Sequence, residues 1–330
     1  MARYHIETYG CTSNRGESRE IERALRDGGH HPADGPEAAD VAILNTCTVV
    51  EKTERNMLAR ARELDEETPA DLVITGCMAL AQGEAFREAD IDADVLHWDD
   101  VPEHVRNGEC PTVTPDTEPV VDGVVGILPI ARGCMSDCSY CITKQATGKI
   151  ESPTVEENVE KARALVHAGT KELRITGQDT GVYGWDRNQG ESLLPELLER
   201  ICTEIEGEFR VRVGMANPKG VHGVREELAA VFAEHDELYN FLHAPVQSGS
   251  DELLADMRRQ HTVSEYVDVV ETFDKYLDYW TLSTDFIVGF PTEEPADYKQ
   301  SLALLRETRP EKINVTRFSK RPGTDAAQMK

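Results

Sequence analysis

Three times in its first third the chain runs a short strand-like phrase straight into a cysteine. The phrases are IETYGC, VAILNTC and LVITGC, ending at Cys11, Cys47 and Cys77. Each is followed by a stretch of helical spacing: SREIERALRDGG, EKTERNMLARARELDEE, and a segment around ALAQGEAFREA. DADVLHW reads as a further strand. Strand and helix in alternation imply a parallel, doubly wound sheet. All strands of such a sheet finish on one edge, and ligands bind in the crevice outside those carboxyl ends. Cysteines in equivalent positions on three strands therefore converge without any proximity in sequence. Small buried residues closing strands would explain one of them more readily than three in register.

A second αβ alternation follows the stretch CPTVTPDTEPVVDG, which is rich in proline, threonine and acid and reads as a linker over 110–123. VVGILPIAR, KELRITG, FRVRVGM, LYNFLHAPV, YWTLSTDFIVGF and KINVTRF read as strands, with helices between them. One helix begins at Thr154 with a glutamate three residues on, a capping box. These are six βα units at most, too few for a closed eight-stranded barrel but suited to a partial one. The fold class is therefore α/β. The expected domains are 1–109, with the sheet-edge cysteines, and 124–330, a partial (β/α)6 barrel.

The loop after the first strand of the second domain reads ARGCMSDCSYC and carries Cys134, Cys138 and Cys141. An iron–sulfur cube normally takes four thiolates. Three leave one iron open to bind a reactant. For Cys11, Cys47 and Cys77 zinc is a second alternative, but structural zinc sites usually show four closely paired ligands, and no histidine stands at matching spacing there. A zinc knuckle lacking a ligand and a redox thiol pair are the alternatives for this loop. Cys110 and Cys202 belong to neither trio and read as a spare thiol or core filler.

Acidic residues number 61 against 35 basic ones, a net charge of −26. A lysine-poor, acid-rich surface suits very high salt, so a halophile is expected; a protein that stays folded in dilute buffer would contradict this. At low salt such a charge would argue against nucleic acid, but at molar salt counterion release contributes little. No apolar run approaches the roughly 18–20 residues that span a bilayer. The start, MARYHIETYG, lacks a signal-peptide pattern. A cytoplasmic protein is expected, whose cysteines serve as ligands or catalysts rather than disulfides.

ARGCMSDCSYC resembles the radical S-adenosylmethionine superfamily, and Cys11, Cys47 and Cys77 ahead of it narrow the resemblance to the methylthiotransferases. It covers essentially the whole chain: ITGQDTGVYG, HAPVQSGSDELLADMRR, TDFIVGFPTEE and FSKRPGT are similar to that family's later barrel motifs. YGCTSN, LNTCTV and QDTGVYG are most similar to the archaeal and eukaryotic tRNA branch. That branch converts N6-threonylcarbamoyladenosine next to the anticodon to its 2-methylthio form. The resemblance implies two [4Fe-4S] clusters. One, on Cys134, Cys138 and Cys141, would bind S-adenosylmethionine and release a 5′-deoxyadenosyl radical that takes hydrogen from adenine C2. The other, on Cys11, Cys47 and Cys77, would carry the sulfur, and a second S-adenosylmethionine would give the methyl group.

Among cofactor contacts, Thr176, Gly177 and Gln178 end the second barrel strand, where the amino acid end of S-adenosylmethionine is expected. Gln247 and Ser248 follow the fourth strand, and Tyr140 is expected near the adenine. Arg317 and Arg321 read as solvated surface before phosphate contacts, and His243 as a satisfied core histidine. Expected partners are tRNA, S-adenosylmethionine and an electron donor such as ferredoxin or flavodoxin, with no membrane; the sequence leaves the oligomeric state open. The family usually continues into a small RNA-gripping β-barrel, the TRAM domain; no stretch up to DAAQMK is expected to supply it, so either the chain is truncated or RNA binding is handled otherwise. Alternatives are a sibling acting on isopentenyladenosine or on a ribosomal protein aspartate, and an electron carrier or cluster-bound RNA-binding module without catalysis.

Overall fold

The computed structural model describes residues 1–105 and 119–330. Cys110 and most of the linker read over 110–123 lie outside the described residues. The chain divides into two compact units, Met1–Asp122 with Gln145–Thr147, and Gly123–Lys144 with Gly148–Lys330.

The first unit runs β1 (Arg3–Thr8), α1 (Thr12–Asp27), β2 (His31–Pro32), β3 (Val41–Thr46), α2 (Glu51–Glu67), β4 (Asp71–Thr75), α3 (Gly76–Gln82), α4 (Glu84–Glu88), β5 (Asp94–Val95) and α5 (Val101–Val105). The sheet order is β2-β1-β3-β4-β5, and every pairing is parallel. Alternate residues of the central strands feed two cores. Ala42, Leu44, Leu72 and Ile74 pack with Met57, Leu64, Met78 and Phe86 on one face. Val41, Ile43 and Val73 pack with Tyr4, Ile21, Leu25 and Val101 on the other. All six residues of β3 are buried, as a central strand covered on both faces must be. The sheet is doubly wound, and its order reverses between β1 and β3, the point at which such sheets open a crevice. Several elements differ from the sequence reading: β2 is not among the expected strands, and the helix read around ALAQGEAFREA is split into α3 and α4 at Gly83. α1 starts directly after Cys11 rather than near Ser18, and β5 keeps only two residues of DADVLHW.

The second unit runs β6 (Val125–Pro129), α6 (Thr143–Thr147, whose last three residues group with the first unit), α7 (Val155–His167), β7 (Glu172–Thr176), α8 (Leu194–Glu204), β8 (Arg210–Val213), α9 (Pro218–His222), α10 (Arg225–Glu234), β9 (Phe241–His243), α11 (Asp251–Asp256), α12 (Val263–Tyr276), β10 (Thr281–Val288), α13 (Pro295–Thr308) and β11 (Lys312–Arg317). The six strands form two parallel three-stranded ladders, β6-β7-β8 and β9-β10-β11. Main-chain bonds bridge the seam, Val211 N to Glu237 O at 2.7 Å and Tyr239 N to Val211 O at 3.0 Å. The result is a partial (β/α)6 barrel. The capping box read at Thr154 is present, with Glu157 N donating to Thr154 Oγ1 at 3.2 Å. No helix among the described residues is long and apolar enough to cross a membrane.

Candidate functional site

In the first unit the three strand-end cysteines meet across the order reversal of the sheet. Cys11 caps the N-terminus of α1, Cys47 follows β3, and Cys77 lies in the first turn of α3. Two glycines allow this approach. Gly10 has φ +111°, and a Cβ there would stand 2.9 Å from Cys47 Cβ. Gly76 has φ +86°, and its Cβ would meet Asn45 Oδ1 at 2.2 Å and Thr46 O at 2.5 Å. Only glycine takes such a backbone at such contact without strain.

A buried amide network ties the three loops together. Asn14 Nδ2 donates to Asn45 Oδ1 at 2.9 Å and to Thr46 O at 3.1 Å. Asn45 Nδ2 donates back to Asn14 O at 2.9 Å and to Ser18 Oγ at 2.9 Å. Thr46 Oγ1 donates to Thr75 O at 2.6 Å and accepts from Ala79 N at 3.2 Å. Cys11 Sγ lies 3.2 Å from Asn14 Oδ1. Cys47 and Cys77 are buried, while Cys11 is exposed. Burial lifts the Cys77 thiol well above its ordinary range, helped by Glu17, Cys11 and Cys47. A thiol held neutral by burial becomes a ligand when a metal displaces its proton.

In the second unit Cys134, Cys138 and Cys141 share the loop after β6. Gly133, at φ +69°, turns the chain so closely that a Cβ would lie 2.0 Å from Lys149 O. Cys134 N donates to Gly148 O at 3.3 Å and Cys141 N to Cys138 O at 3.1 Å. Lys144 Nζ donates to Cys134 O. The sulfurs receive hydrogen bonds as cluster ligands do: Ser136 N to Cys134 Sγ at 3.3 Å, and Arg259 Nη1 to Cys138 Sγ at 3.7 Å. Burial raises the Cys134 and Cys138 thiols; Ser136 and Arg259, respectively, act in the opposite direction.

Asp179, 2% exposed, organises the neighbouring loops. Its Oδ1 accepts from Gly181 N at 3.1 Å and Asn217 N at 2.9 Å. Asn217 Nδ2 in turn donates to Ser136 Oγ at 3.3 Å. The loops after β6, β7 and β8 are thereby joined. Burial pushes the Asp179 carboxyl up to about 6.

A tetrahedral zinc with Zn–S near 2.3 Å needs sulfurs about 3.8 Å apart. Among the described residues, the sets of three or more donors lying within 4.8 Å of one another are Cys202–His235–Glu237 and Glu199–Glu234–His235. Neither cysteine trio is gathered that tightly, and all six thiols are free of disulfides.

The remaining sequence candidates fall as follows. Thr176 is buried at the end of β7, and Gly177 and Gln178 are half-buried beyond it. Gln247 adopts φ +76° and its backbone bridges to β10, from Gln247 N to Asp285 O at 2.8 Å. Ser248 is buried, and its hydroxyl accepts from Ser250 N at 3.1 Å. The Tyr140 ring packs edge-on to Phe290 in an apolar cluster with Leu253, Met257 and Phe318. His243 is satisfied, 3.1 Å from both Asp285 oxygens.

Arg317 is exposed, but Arg321 is 2% exposed and not the solvated residue expected from its sequence. The RPGT turn folds Ala326 back, so that Ala326 N donates to Ser139 O at 2.9 Å, and this carries Arg321 inward. The sequence reading missed Asn14, Asn45, Ser136, Asp179, Asn217 and Arg259. Most stand inside the quoted phrases YGCTSN, LNTCTV, ITGQDTGVYG and HAPVQSGSDELLADMRR, which were the only available signal.

The Radical SAM superfamily model matches residues 128–305, and that of the Uncharacterized protein family UPF0004 matches residues 3–97. The chain is 39% identical to a probable threonylcarbamoyladenosine tRNA methylthiotransferase of Archaeoglobus fulgidus, over 99% of this chain and 79% of that one. It is 33% identical to a tRNA-2-methylthio-N(6)-dimethylallyladenosine synthase of Anaplasma marginale, over 98% and 75%. Its fold matches TsrM, a radical S-adenosylmethionine methyltransferase from Kitasatospora setae, with TM-score 0.67 at 14% identity, over 98% of this chain and 76% of that one. The chain belongs to the radical S-adenosylmethionine enzymes and, within them, to the threonylcarbamoyladenosine tRNA methylthiotransferases.

Proposed function

We propose that the chain converts N6-threonylcarbamoyladenosine in tRNA to its 2-methylthio derivative, using one [4Fe-4S] cluster with S-adenosylmethionine and a second [4Fe-4S] cluster. The reading is carried by one observation: a cysteine trio at the order reversal of a parallel sheet, paired in one chain with a trio in the first loop of a partial barrel. Adenine C2–H is neither acidic nor polarised, and a reduced cluster with bound S-adenosylmethionine supplies the radical that such a bond requires.

The chain's own residues supply ligands, placement and electrostatics. Cys134, Cys138 and Cys141 offer three thiolates and leave one iron open for S-adenosylmethionine. Arg259, partly buried, sets a fixed positive charge beside Cys138 and also holds Pro245 O at 2.7 Å. Asp179 and Asn217 hold the β7 and β8 loops against the cysteine loop, which fixes Thr176, Gly177 and Gln178 at the strand ends. Cys11, Cys47 and Cys77 hold the second cluster on a frame of neutral amides. The same reading includes an electron donor of ferredoxin or flavodoxin type and a cytoplasmic setting; the net charge of −26 supports high salt.

Mass spectrometry of tRNA nucleosides from a deletion strain tests the substrate. Loss of 2-methylthio-threonylcarbamoyladenosine, restored by the wild-type gene and not by Cys47→Ala, is expected. Loss of the 2-methylthio isopentenyl nucleoside instead would assign the sibling activity.

A further inference from the structure

Cys202 stands outside both trios. It lies on the last turn of α8, and its sulfur is within 4.8 Å of donor atoms of His235 and Glu237. His235 closes α10, and Glu237 follows two residues later. The elements carrying these donors are fixed. Val211 N holds Glu237 O at 2.7 Å, and His235 N donates to Val231 O at 3.2 Å. Glu199 Oε2 lies 2.7 Å from His235 Nε2, an arrangement that orients a metal-binding imidazole. Glu199, Glu234 and His235 form a second close donor set on the same ring.

The charges call for a cation. Three carboxylates and a thiol crowd one imidazole. Arg200, the neighbour of Glu199 on α8, reaches Glu156 and Glu204 instead. The mixture of sulfur, imidazole and carboxylate is that of a borderline-soft divalent ion.

We propose that Cys202, His235 and Glu237 form a structural site for a divalent metal of the zinc class, with Glu199 orienting the imidazole and Glu234 the nearest further donor. Binding releases the thiol proton to solvent and draws the donors together, from within 4.8 Å to about 3.5 Å, the spacing set by zinc bonds of 2.0–2.3 Å. The metal clips α8 to the turn between α10 and β9. Helices of this unit run back along the strands, so the ends of α8 and α10 lie where β8 and β9 begin. Cys134 follows the other end of β6. The site is thus on the barrel's stability face, not its catalytic one.

Zinc is added to the full chain after anaerobic reconstitution with iron and sulfide, followed by dialysis and zinc-edge X-ray absorption. About one retained zinc per chain is expected, with a single sulfur near 2.3 Å. Cys202→Ser should lose the zinc while keeping its iron, and zinc should raise Tm in the wild type alone. Glu199→Gln should weaken zinc roughly ten- to hundredfold. No retained zinc, a three-sulfur shell that places zinc in a cysteine trio, or unchanged zinc in Cys202→Ser would overturn the proposal.

Discussion

The two units gather three cysteines by opposite means. In the second, one loop of the chain supplies Cys134, Cys138 and Cys141, and local turns at Gly133 and Cys141 set their spacing. In the first, Cys11, Cys47 and Cys77 come from three strands and meet only when β1, β3 and β4 pair. The loop site is written locally, whereas the sheet-edge site is a property of the whole unit. Their surroundings differ as well. Amides brace the first, with Glu17 acting on Cys77, while buried Asp179 acts on Cys134 and half-buried Arg259 on Cys138 in the second.

The largest expected effect separates the two sites outright. Cys134→Ala and Cys47→Ala should each take iron from roughly eight to roughly four atoms per chain, by removing one cube and sparing the other. Only Cys134→Ala should also abolish S-adenosylmethionine cleavage. Iron analysis and electron paramagnetic resonance check this; loss of both clusters in either variant would show that the sites are not independent.

Next come the glycines. Gly76→Ala forces a side chain into Asn45 and Thr46 at a left-handed backbone position, and should destabilise the first unit by about 3 kcal/mol or more. Gly133→Ala should act on its loop alone, costing the second unit's cluster while the first unit's stays. Thermal melting beside iron counts distinguishes the two, and equal loss of both clusters in Gly133→Ala would refute local encoding.

Acid should then act on the units unequally. Burial, with Arg259 adding to it, holds His261 neutral and lowers its pKa to about 3. The unfolded chain takes up that proton near pH 6.5 and the folded one does not. That site alone should lower the second unit's stability as pH drops from 6.5 towards 3, by up to about 1.4 kcal/mol per pH unit, while Asp179, whose carboxyl burial raises to about 6, takes up its proton in the folded state and acts in the opposite direction below that pH. His261→Phe should remove this contribution and leave a variant relatively more acid-stable than the wild type, measured by denaturant titration across that range.

The smallest effect is electrostatic tuning. Arg259→Gln should keep the cluster and shift its reduction midpoint to more negative values, because a positive charge beside Cys138 is lost. Arg259→Lys should shift it less, keeping charge but not the planar fork. Potentiometric titration reads both, and an unchanged midpoint in Arg259→Gln would deny the arginine this role.

The same contrast explains what the sequence discloses. Strand and helix order, the parallel doubly wound sheet and the partial barrel follow from hydrophobic period and turn residues, which are local signals. The placement of the cysteines was legible, Cys134, Cys138 and Cys141 in one loop after β6 and Cys11, Cys47 and Cys77 just past three strands. The braces were not. Asn14 and Asn45 are far apart in the chain, and nothing in either phrase says that two amides will exchange hydrogen bonds. Arg321 looks like an ordinary surface arginine until the turn after it folds Ala326 onto Ser139. Asp179 and Arg259 matter because separate loops bring them near cysteines, and single-sequence reading records no such pairing.

Of the three sulfurs on the sheet edge, two are sealed and Cys11 faces outward. That thiol is the doorway of the trio: a reagent or stray oxidant arriving from solvent meets it first. A chain kept without iron in air is therefore wounded at Cys11 before its inner partners are touched, and mild alkylation should mark it ahead of them.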